Sequence, residues 1–324
     1  MSSYTLNSYI VTPAELDAAL KKNLYSKLST APRIIPLCAS WFLPNDGRTG
    51  IDTFKESRIP HARFFDLDEV KDQNSPYPHM LPSAKDFASA MGRLGIRKDD
   101  SVVVYDSKEL GIFSAPRVAW TLKIFGHPSV HILNNFKVWV RDGFATESGE
   151  PAEVSRVDYP VPELDKSKVA AFEEVKGIVK ELGKEGAEEV QVLDARPAGR
   201  WAGTDPEPRE GWYSTQFSAH MLTALGLSSG HMPQSTNVAT NYLLHPEDKT
   251  LLPASELKQI LQKLGVDSSK PIISSCGTGV TAAIVDTALT EAGYPEANRR
   301  IYDGSWTEWA QRVKPTEGLI QKTV

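Results

Sequence analysis

Residues 271–295 read PIISSCGTGVTAAIVDTALTEAGYP, and this stretch decides the fold class of the chain. The apolar run at 271–274 is typical of a buried parallel strand. Cys276 follows it, then a turn with two glycines, and then a stretch with the composition of a helix. Because a strand runs into a helix through a tight turn, the stretch predicts an α/β fold with a parallel sheet.

The same pattern occurs twice in the 324-residue chain. The matching stretches are HMLPSAKDFASAMGRLGIRKDDSVVVYD and TLLPASELKQILQKLGVDSSKPIISSC. Gly95 lies 11 residues before Asp106, and Gly265 lies 11 residues before Cys276. Two further pairs support the match: RIPHARFFDLD with GHMPQSTNVAT, and IIPLCASWF with VQVLDARPAGRW. The chain is therefore predicted to be an internal duplication.

The duplication predicts two tandem domains, each a parallel sheet flanked by helices. Residues 143–165 are rich in proline, glycine and acidic side chains and are interpreted as the linker. The alternative, one long loop inside a single domain, disagrees with usual loop lengths. The predicted domains are residues 1–150 and 166–324. The run TPAE at 12–15 predicts a helix start with a capping box.

Composition argues against several classes of function. A net charge of −5 does not favour direct binding to nucleic acid or to a membrane surface, and no apolar run reaches the length of a membrane span. Two cysteines cannot build a disulfide framework or a zinc site, and no metal-ligand spacing, P-loop or dinucleotide motif is present. The N-terminal residues MSSYTLNSYI lack the features of a secretory signal. We expect a cytoplasmic protein, and the sequence leaves an additional mitochondrial location open.

Cys276 is predicted to be a reactive thiol at the carboxyl end of a strand, where sites in α/β sheets lie. Gly277 and Gly279 permit a backbone whose amides converge on an anion, and the following helix adds its positive dipole end. Both effects favour the thiolate and predict a lowered pKa for Cys276. A buried inert cysteine is the alternative. The first-half counterpart is Asp106, in a segment three residues longer, so only the second half is expected to be catalytic.

These motifs together resemble those of the two-domain rhodanese-like sulfurtransferases, most of all the 3-mercaptopyruvate sulfurtransferases. The resemblance is carried by CGTGVTA, RIPHARFFDLD, SPYPHMLP, GRWAGTDPEPR and YDGSWTEW, and it extends over nearly the whole chain. The 3-mercaptopyruvate sulfurtransferases that the chain resembles include fungal members that relay sulfur for tRNA thiolation. The resemblance implies two rhodanese-like domains, a persulfide on Cys276 of the second one, and no other cofactor.

The resemblance also implies roles for residues that bind the sulfur donor. Arg200 and Arg209 match the family's substrate arginines, whose guanidinium forks suit the carboxylate and keto oxygen of 3-mercaptopyruvate. An ion pair with nearby Asp205, Glu207 or Glu210 is the alternative for both arginines. The loop residues that the family match places at the substrate are Gly277, Gly279, Val280 and Thr281.

Three further residues match the family's proton relay: Asp68, His79 and Thr278. Such a relay would protonate the carbon that loses sulfur. The family often has serine where Thr278 stands, and threonine keeps the hydroxyl. Ordinary structural roles remain the alternative for all three.

The sequence departs from the family pattern at two places. Cys38 stands where the family usually has aspartate, and it is interpreted as a buried strand-end residue, with a redox partnership to Cys276 as the alternative. An insertion near 210–230 lengthens the connection after PEPR. It leaves the pose of Arg209 open.

The same residues bear on other possible functions. A cysteine phosphatase needs an arginine six residues after its cysteine, and Ala282 stands there. A thiosulfate-preferring rhodanese often has basic residues where this chain has the neutral Gly277 and Thr278. We therefore expect 3-mercaptopyruvate to be the better donor and thiosulfate a weaker one. The acceptor would be cyanide, a protein, or a thiol such as thioredoxin or glutathione. A relay from a cysteine desulfurase to an E1-like enzyme, and a purely structural protein, are the remaining alternatives.

Overall fold

Two parallel sheets of five strands each organise the chain in the computed structural model. The structure describes residues 6–22, 31–43, 45–208 and 227–323. They divide into two units. The first unit takes its residues from Met1–Gln73, Leu81–Lys166 and Leu244–Pro253, and the second from Asn74–Met80, Ser167–Leu243 and Ala254–Val324.

The first unit contains strands β1 to β5, in the spatial order β1-β5-β4-β2-β3, and all its strand pairs are parallel. The strands are β1 Ile10–Val11, β2 Ile34–Cys38, β3 Arg63–Phe64, β4 Ser101–Tyr105 and β5 Val130–Leu133. The helices of this unit are α1 Pro13–Lys21, α2 Gly50–Glu56, α3 Ala84–Arg93, α4 Ala115–Ile124 and α5 Phe136–Arg141.

The second unit contains strands β6 to β10, in the order β6-β10-β9-β7-β8, again with parallel pairs. The strands are β6 Val169–Ala170, β7 Gln191–Asp194, β8 Thr236–Asn237, β9 Ile272–Ser275 and β10 Arg299–Tyr302. The helices are α6 Phe172–Glu181, α7 Ala198–Ala202, α8 Ala254–Lys263, α9 Ala282–Glu291 and α10 Ser305–Arg312. Short 3₁₀ turns lie at Lys166–Lys168, Thr240–Tyr242, Glu296–Asn298 and Pro315–Glu317.

The predicted duplication is confirmed strand by strand, because the two sheets have the same order when the ten strands are numbered along the chain. The match extends to the backbone. His61, two residues before β3, has a φ of 61°, and Gln234, two residues before β8, has a φ of 62°. Such left-handed values are uncommon outside glycine, so the same turn has been kept in both halves.

Local sequence explains the start of α1. The Oγ1 atom of Thr12 accepts the Glu15 N–H at 3.2 Å, and the Glu15 carboxylate accepts the Thr12 N–H at 2.8 Å. Pro13 occupies the first helical position, as predicted. The helices that the structure describes reach ten residues at most, and none is long and apolar enough to cross a membrane.

Each unit has its own apolar core. In the first unit Trp139, Phe136 and Tyr105 are fully buried. In the second unit the core includes Trp306 and Trp309, both 0% exposed and both on α10. The core of the second unit therefore supports α10, the helix that holds the Cys276 loop.

Two short segments belong to the opposite unit from the one that chain order would give, which the sequence analysis did not predict. Residues 244–253 join the first unit, where the Leu251 N–H donates to Asn134 Oδ1 at 2.8 Å and the Ile112 N–H donates to the Lys249 carbonyl at 3.3 Å. Residues 74–80 join the second unit. Segment 74–80 ends just before Leu81-Pro82, and segment 244–253 ends on the matching Leu252-Pro253, so the exchange is reciprocal.

The stretch at 143–165, interpreted as the linker, contains no helix or strand and packs along the first unit. Tyr159 is buried there, with its ring in edge contact with Phe87 and its hydroxyl 2.9 Å from His127 Nδ1. The Val157 N–H donates to the Gly92 carbonyl at 3.0 Å. The stretch is thus tied to the first unit by specific contacts.

Candidate active site

Cys276 follows directly after β9, the middle strand of the second sheet, as the sequence predicts. Its residue is 1% exposed. The loop from Cys276 to Thr281 leads into α9, whose N-cap is Thr281. The thiol therefore lies where a strand carboxyl end and a helix amino end meet.

The N-terminal turn of α10 fixes the loop backbone. The Cys276 N–H donates to Ser305 Oγ at 3.1 Å, and the Trp306 N–H donates to the Cys276 carbonyl at 2.9 Å. The Gly277 carbonyl accepts both the N–H and the hydroxyl of Thr307, at 2.9 and 2.7 Å. Because these carbonyls are bound from one side, the loop is held rigidly around the thiol.

The two loop glycines meet different constraints. Gly279 has a φ of 75°, a conformation that L side chains rarely adopt. A Cβ on Gly277 would lie 3.3 Å from Arg200 Nη2, so this glycine permits the close approach of a guanidinium. Val280 is buried, and Thr281 is partly exposed. The contacts with the sulfur donor that are expected for this loop stay predictions.

His79 and Thr278 are brought together by the structure. Segment 74–80 is part of the second unit, and His79 Nδ1 lies 3.2 Å from Thr278 Oγ1. Both residues are buried, at 1% and 3% exposure. Thr278 is two residues from Cys276, so the His79 imidazole is hydrogen-bonded to a hydroxyl on the loop that carries the thiol.

Asp68, the third residue of the predicted relay, belongs to the first unit. Its carboxylate accepts the indole N–H of Trp41 at 2.8 Å and lies 3.8 Å from Lys71 Nζ. The side chain is 42% exposed. Its role as a relay residue stays a prediction.

Arg200 lies on α7 beside the loop and forms the ion pair that the sequence analysis gave as its alternative. Its Nε donates to Glu207 Oε2 at 3.1 Å, and its Nη2 binds the same oxygen. The ion pair does not exclude binding of a sulfur donor, because the guanidinium has further N–H groups. Arg209 lies outside the described residues, as does most of the insertion near 210–230.

Arg196, which the sequence did not single out, and Glu207, one of the three carboxylates named from the sequence as possible partners, complete this network. The Arg196 side chain is 1% exposed and binds Asp194 Oδ2 at 2.5 Å and Glu207 Oε1 at 2.7 Å. Its guanidinium lies 4.1 Å from the centre of the Trp306 ring. The alternation of acid and base in LDAR and PEPR was the available signal, but sequence alone does not show that the two motifs meet.

Cys38 is a buried strand-end residue, as predicted. It ends β2, is 1% exposed, and its Sγ lies 3.2 Å from Ser40 Oγ. Burial raises the pKa of the Cys38 thiol to about 12. A neutral thiol is a poor nucleophile, so this cysteine is held inert near neutral pH. Both cysteines are free thiols.

Asp106, at the position of the thiol in the first half, fills its own loop. Its carboxylate accepts the N–H groups of Phe113, Ser114 and Ala115 at 2.8, 3.2 and 2.9 Å, and the Ser114 hydroxyl at 2.5 Å. Burial raises the pKa of the Asp106 carboxyl, and these hydrogen bonds act in the opposite direction. The amides at the start of α4 are therefore engaged by a tethered anion.

The fold and the loop define a rhodanese-type unit, and comparison with known proteins agrees. The family model of the rhodanese-like domain matches residues 179–312. A probable 3-mercaptopyruvate sulfurtransferase of Schizosaccharomyces pombe is 38% identical, covering 92% of this chain and 94% of that protein. The thiosulfate sulfurtransferase TUM1 of Saccharomyces cerevisiae is 40% identical, covering 87% of this chain and 90% of that protein.

Solved structures show the same likeness over both units. The crystal structure of the S. cerevisiae Tum1 protein superposes with a TM-score of 0.82 at 36% identity, covering 100% of this chain and 99% of that chain. The sulfur transferase subunit of yeast mitochondrial complex I gives a TM-score of 0.79 at 36% identity, covering 97% and 100%. The chain belongs to the rhodanese-like sulfurtransferases, which confirms the predicted family and its tandem α/β fold.

Proposed function

We propose that this sulfurtransferase takes sulfur from 3-mercaptopyruvate onto Cys276 and passes it to a nucleophilic acceptor. The observation that carries the proposal is the buried hydrogen bond between His79 and Thr278 on the Cys276 loop. A donor that leaves as a carbon anion needs a proton source beside the thiol. A buried hydroxyl–imidazole pair is suited to supply it.

In the first step the Cys276 thiolate attacks the sulfur of 3-mercaptopyruvate. An S–S bond forms, the C–S bond breaks, and its electron pair moves onto the carbon to give pyruvate enolate. One proton converts the enolate to pyruvate, and the enzyme keeps the sulfur as a cysteine persulfide. The persulfide is a covalent intermediate, and no resident cofactor or metal is needed for this balance.

The donor proton is proposed to come through Thr278 and His79. Thr278 Oγ1 is the group on the loop, and His79 Nδ1 at 3.2 Å can exchange its proton. By the family resemblance, Asp68 is proposed as the carboxylate of this proton relay. Its variant Asp68→Asn would test that role separately from the His79–Thr278 pair.

Arg200 is proposed to bind the donor carboxylate. Its Nη2 lies close to Gly277, and its charge suits a keto acid. Arg209 is proposed as its partner on the family match alone. The loop residues Gly277, Gly279, Val280 and Thr281 are proposed to line the place where the transferred sulfur sits.

As a sulfurtransferase the protein acts on a sulfur donor and a sulfur acceptor. The finer identity of the acceptor is a proposal: cyanide, which would leave as thiocyanate, or a thiol such as glutathione or thioredoxin, which would leave as a persulfide. In each case the acceptor attacks the outer sulfur and Cys276 leaves as its thiolate.

Two alternatives keep the same loop. Thiosulfate as main donor is favoured by the name of the S. cerevisiae relative. Protein relay from a cysteine desulfurase to an E1-like enzyme of tRNA thiolation is favoured by the resemblance to fungal relay members. A cytoplasmic location with a second mitochondrial pool is proposed, since one related structure is a subunit of a mitochondrial complex.

Intact mass measurement tests the proposal directly. The wild-type protein is incubated with 3-mercaptopyruvate, with thiosulfate or with no donor, and then its mass is recorded. We expect a gain of one sulfur atom with 3-mercaptopyruvate, lost on adding cyanide, and none in Cys276→Ser. Faster loading by thiosulfate would transfer the assignment to a thiosulfate-preferring enzyme.

A further inference from the structure

A buried carboxylate joins the two arginines beside the Cys276 loop. The Glu207 side chain is 3% exposed. Its Oε1 accepts from Arg196 Nη1 at 2.7 Å, and its Oε2 accepts from Arg200 Nε at 3.1 Å and from Arg200 Nη2. Each carboxylate oxygen therefore binds a different guanidinium.

The inner half of this network is fixed to the sheet and to the loop. Asp194 ends β7 and accepts Arg196 Nε at 3.0 Å, while Arg196 Nη2 also donates to the Gly230 carbonyl at 2.7 Å. The Arg196 guanidinium stacks on the Trp306 ring, and the backbone N–H of Trp306 donates to the Cys276 carbonyl. Because Arg196 is bound on several sides, it is a rigid anchor for Glu207.

Arg200 is the outer and more accessible member. Its side chain is 21% exposed, against 1% for Arg196. Glu207 takes the Nε–Nη2 edge of the Arg200 guanidinium. Nη1 and the second N–H of Nη2 lie on the other edge, and a Cβ built on Gly277 would lie 3.3 Å from Nη2. An arginine held by one edge presents its other edge as a preformed fork.

We propose that Glu207 is a positioning residue, which holds Arg200 so that its Nη1–Nη2 edge receives the carboxylate of the sulfur donor. The inference rests on the proposed function, since it assigns the orientation of the proposed donor-binding arginine. An unrestrained arginine has many rotamers, and fixing one of them before the donor arrives strengthens binding. Glu207 also balances a charge that would otherwise be partly buried without a partner.

Steady-state kinetics with 3-mercaptopyruvate tests the inference. Glu207→Gln keeps the size of the side chain and removes its charge, so we expect KM to rise tenfold or more while kcat changes less than threefold. Arg200→Ala should raise KM at least as much. The double variant should be no worse than Arg200→Ala, because the effect of Glu207 acts through Arg200.

The matched control is Glu189→Gln, which removes an exposed ion pair with Lys270 in the same unit and should leave KM unchanged. The inference is wrong if the two losses multiply in the double variant, if Arg200→Ala leaves KM unchanged, or if Glu207→Gln lowers kcat and melting temperature alone. Should Glu207→Gln not fold, Glu207→Asp keeps the charge, shortens the reach to Arg200, and must show the same rise in KM.

The two proposals fail differently. If the wild-type protein gains no sulfur on Cys276 from 3-mercaptopyruvate, the proposed function fails and the inference fails with it. If the wild type is loaded normally but the losses at Glu207 and Arg200 multiply, only the inference fails.

Discussion

The Nδ1 atom of His79 lies 3.2 Å from the Oγ1 atom of Thr278, between two residues that are 199 positions apart in the chain. His79 adopts a φ of 60°, which is uncommon for a residue other than glycine. An outlier of this kind costs free energy and persists where the surroundings or the function require it. We therefore expect the contact between His79 and Thr278 to serve catalysis.

His79→Ala should slow turnover of 3-mercaptopyruvate by about 10²-fold or more, the usual size for losing a general acid. Turnover of thiosulfate should fall much less, because sulfite leaves without a proton on carbon. Steady-state rates with both donors, on protein shown to be folded by thermal melting, provide the measurement. An equal loss with both donors would leave His79 as a packing residue.

Thr278 offers a matched pair of variants for the same path. Thr278→Ser keeps the hydroxyl and should retain most of the turnover of 3-mercaptopyruvate, whereas Thr278→Val keeps the shape and should lose it. Rates that follow side-chain shape, with Val better than Ser, would contradict a proton-transfer role for the hydroxyl. The comparison with thiosulfate again separates chemistry from loop packing.

Cys276→Ser should abolish sulfur transfer, while Cys38→Ser should leave most of it. Cys38 is buried and its pKa is raised to about 12, so its thiolate is scarce at neutral pH. Cyanide-dependent thiocyanate release and intact mass of both variants provide the test. If Cys38→Ser is as inactive as Cys276→Ser while remaining folded, the mechanism with one thiol is wrong.

Much of the fold could be predicted because its signals are local or repeated. The strand before Cys276, the helix after it and the capping box at Thr12 each follow from a few neighbouring residues. The duplication could be recognised because both halves keep the Leu-Pro motif and the same 11-residue spacing. The equal strand order of the two sheets then follows from the repeat.

The reciprocal segment exchange could not be predicted, since it depends on which unit a loop contacts and not on its composition. The sequence indicated His79, but the assignment of segment 74–80 to the second unit came from the structure. The contacts of Glu207 could not be predicted for the same reason. Glu207 could be named from the sequence as one of three possible ion-pair partners of Arg200, but the sequence does not show that its carboxylate binds both Arg196 and Arg200.

Asp106 allows a test of why only one half carries the chemistry. Asp106→Cys, made in the Cys276→Ser background, should not restore sulfur transfer, because its loop is longer and lacks the glycine turn of Cys276. Asp106→Ala should lower the free energy of unfolding by about 2–4 kcal/mol, because it leaves buried amides unpaired. Thiocyanate assays and urea denaturation give the two readings; restored transfer would contradict the assignment to one half.

His127 predicts how stability depends on pH. Burial, together with the nearby charge of Lys98, lowers the pKa of His127 to about 4, while its hydrogen bond to the Asp100 carbonyl acts in the opposite direction. In the unfolded chain histidine titrates near 6.5. Above that pH both states are neutral and the stability is fully present. As pH falls from about 6.5 to 4, the unfolded chain takes up a proton that the folded one does not, so stability is lost.

His127→Gln removes this titration and keeps a hydrogen-bonding side chain. Between pH 7 and 4.5 the wild type should lose about 2 kcal/mol more of its free energy of unfolding than the variant does. Urea denaturation at both values of pH gives the two differences. Although burial acts to raise the pKa of Asp100, Arg33 and Arg97 hold its carboxylate and lower that pKa. Protonation of Asp100 therefore lowers the free energy of unfolding at low pH. This loss occurs in both proteins, so it cancels in the comparison. If the free energy of unfolding depended on pH equally in both proteins, His127 would take up its proton in the folded state as readily as in the unfolded chain. That result would contradict a buried neutral ring hydrogen-bonded to Tyr159.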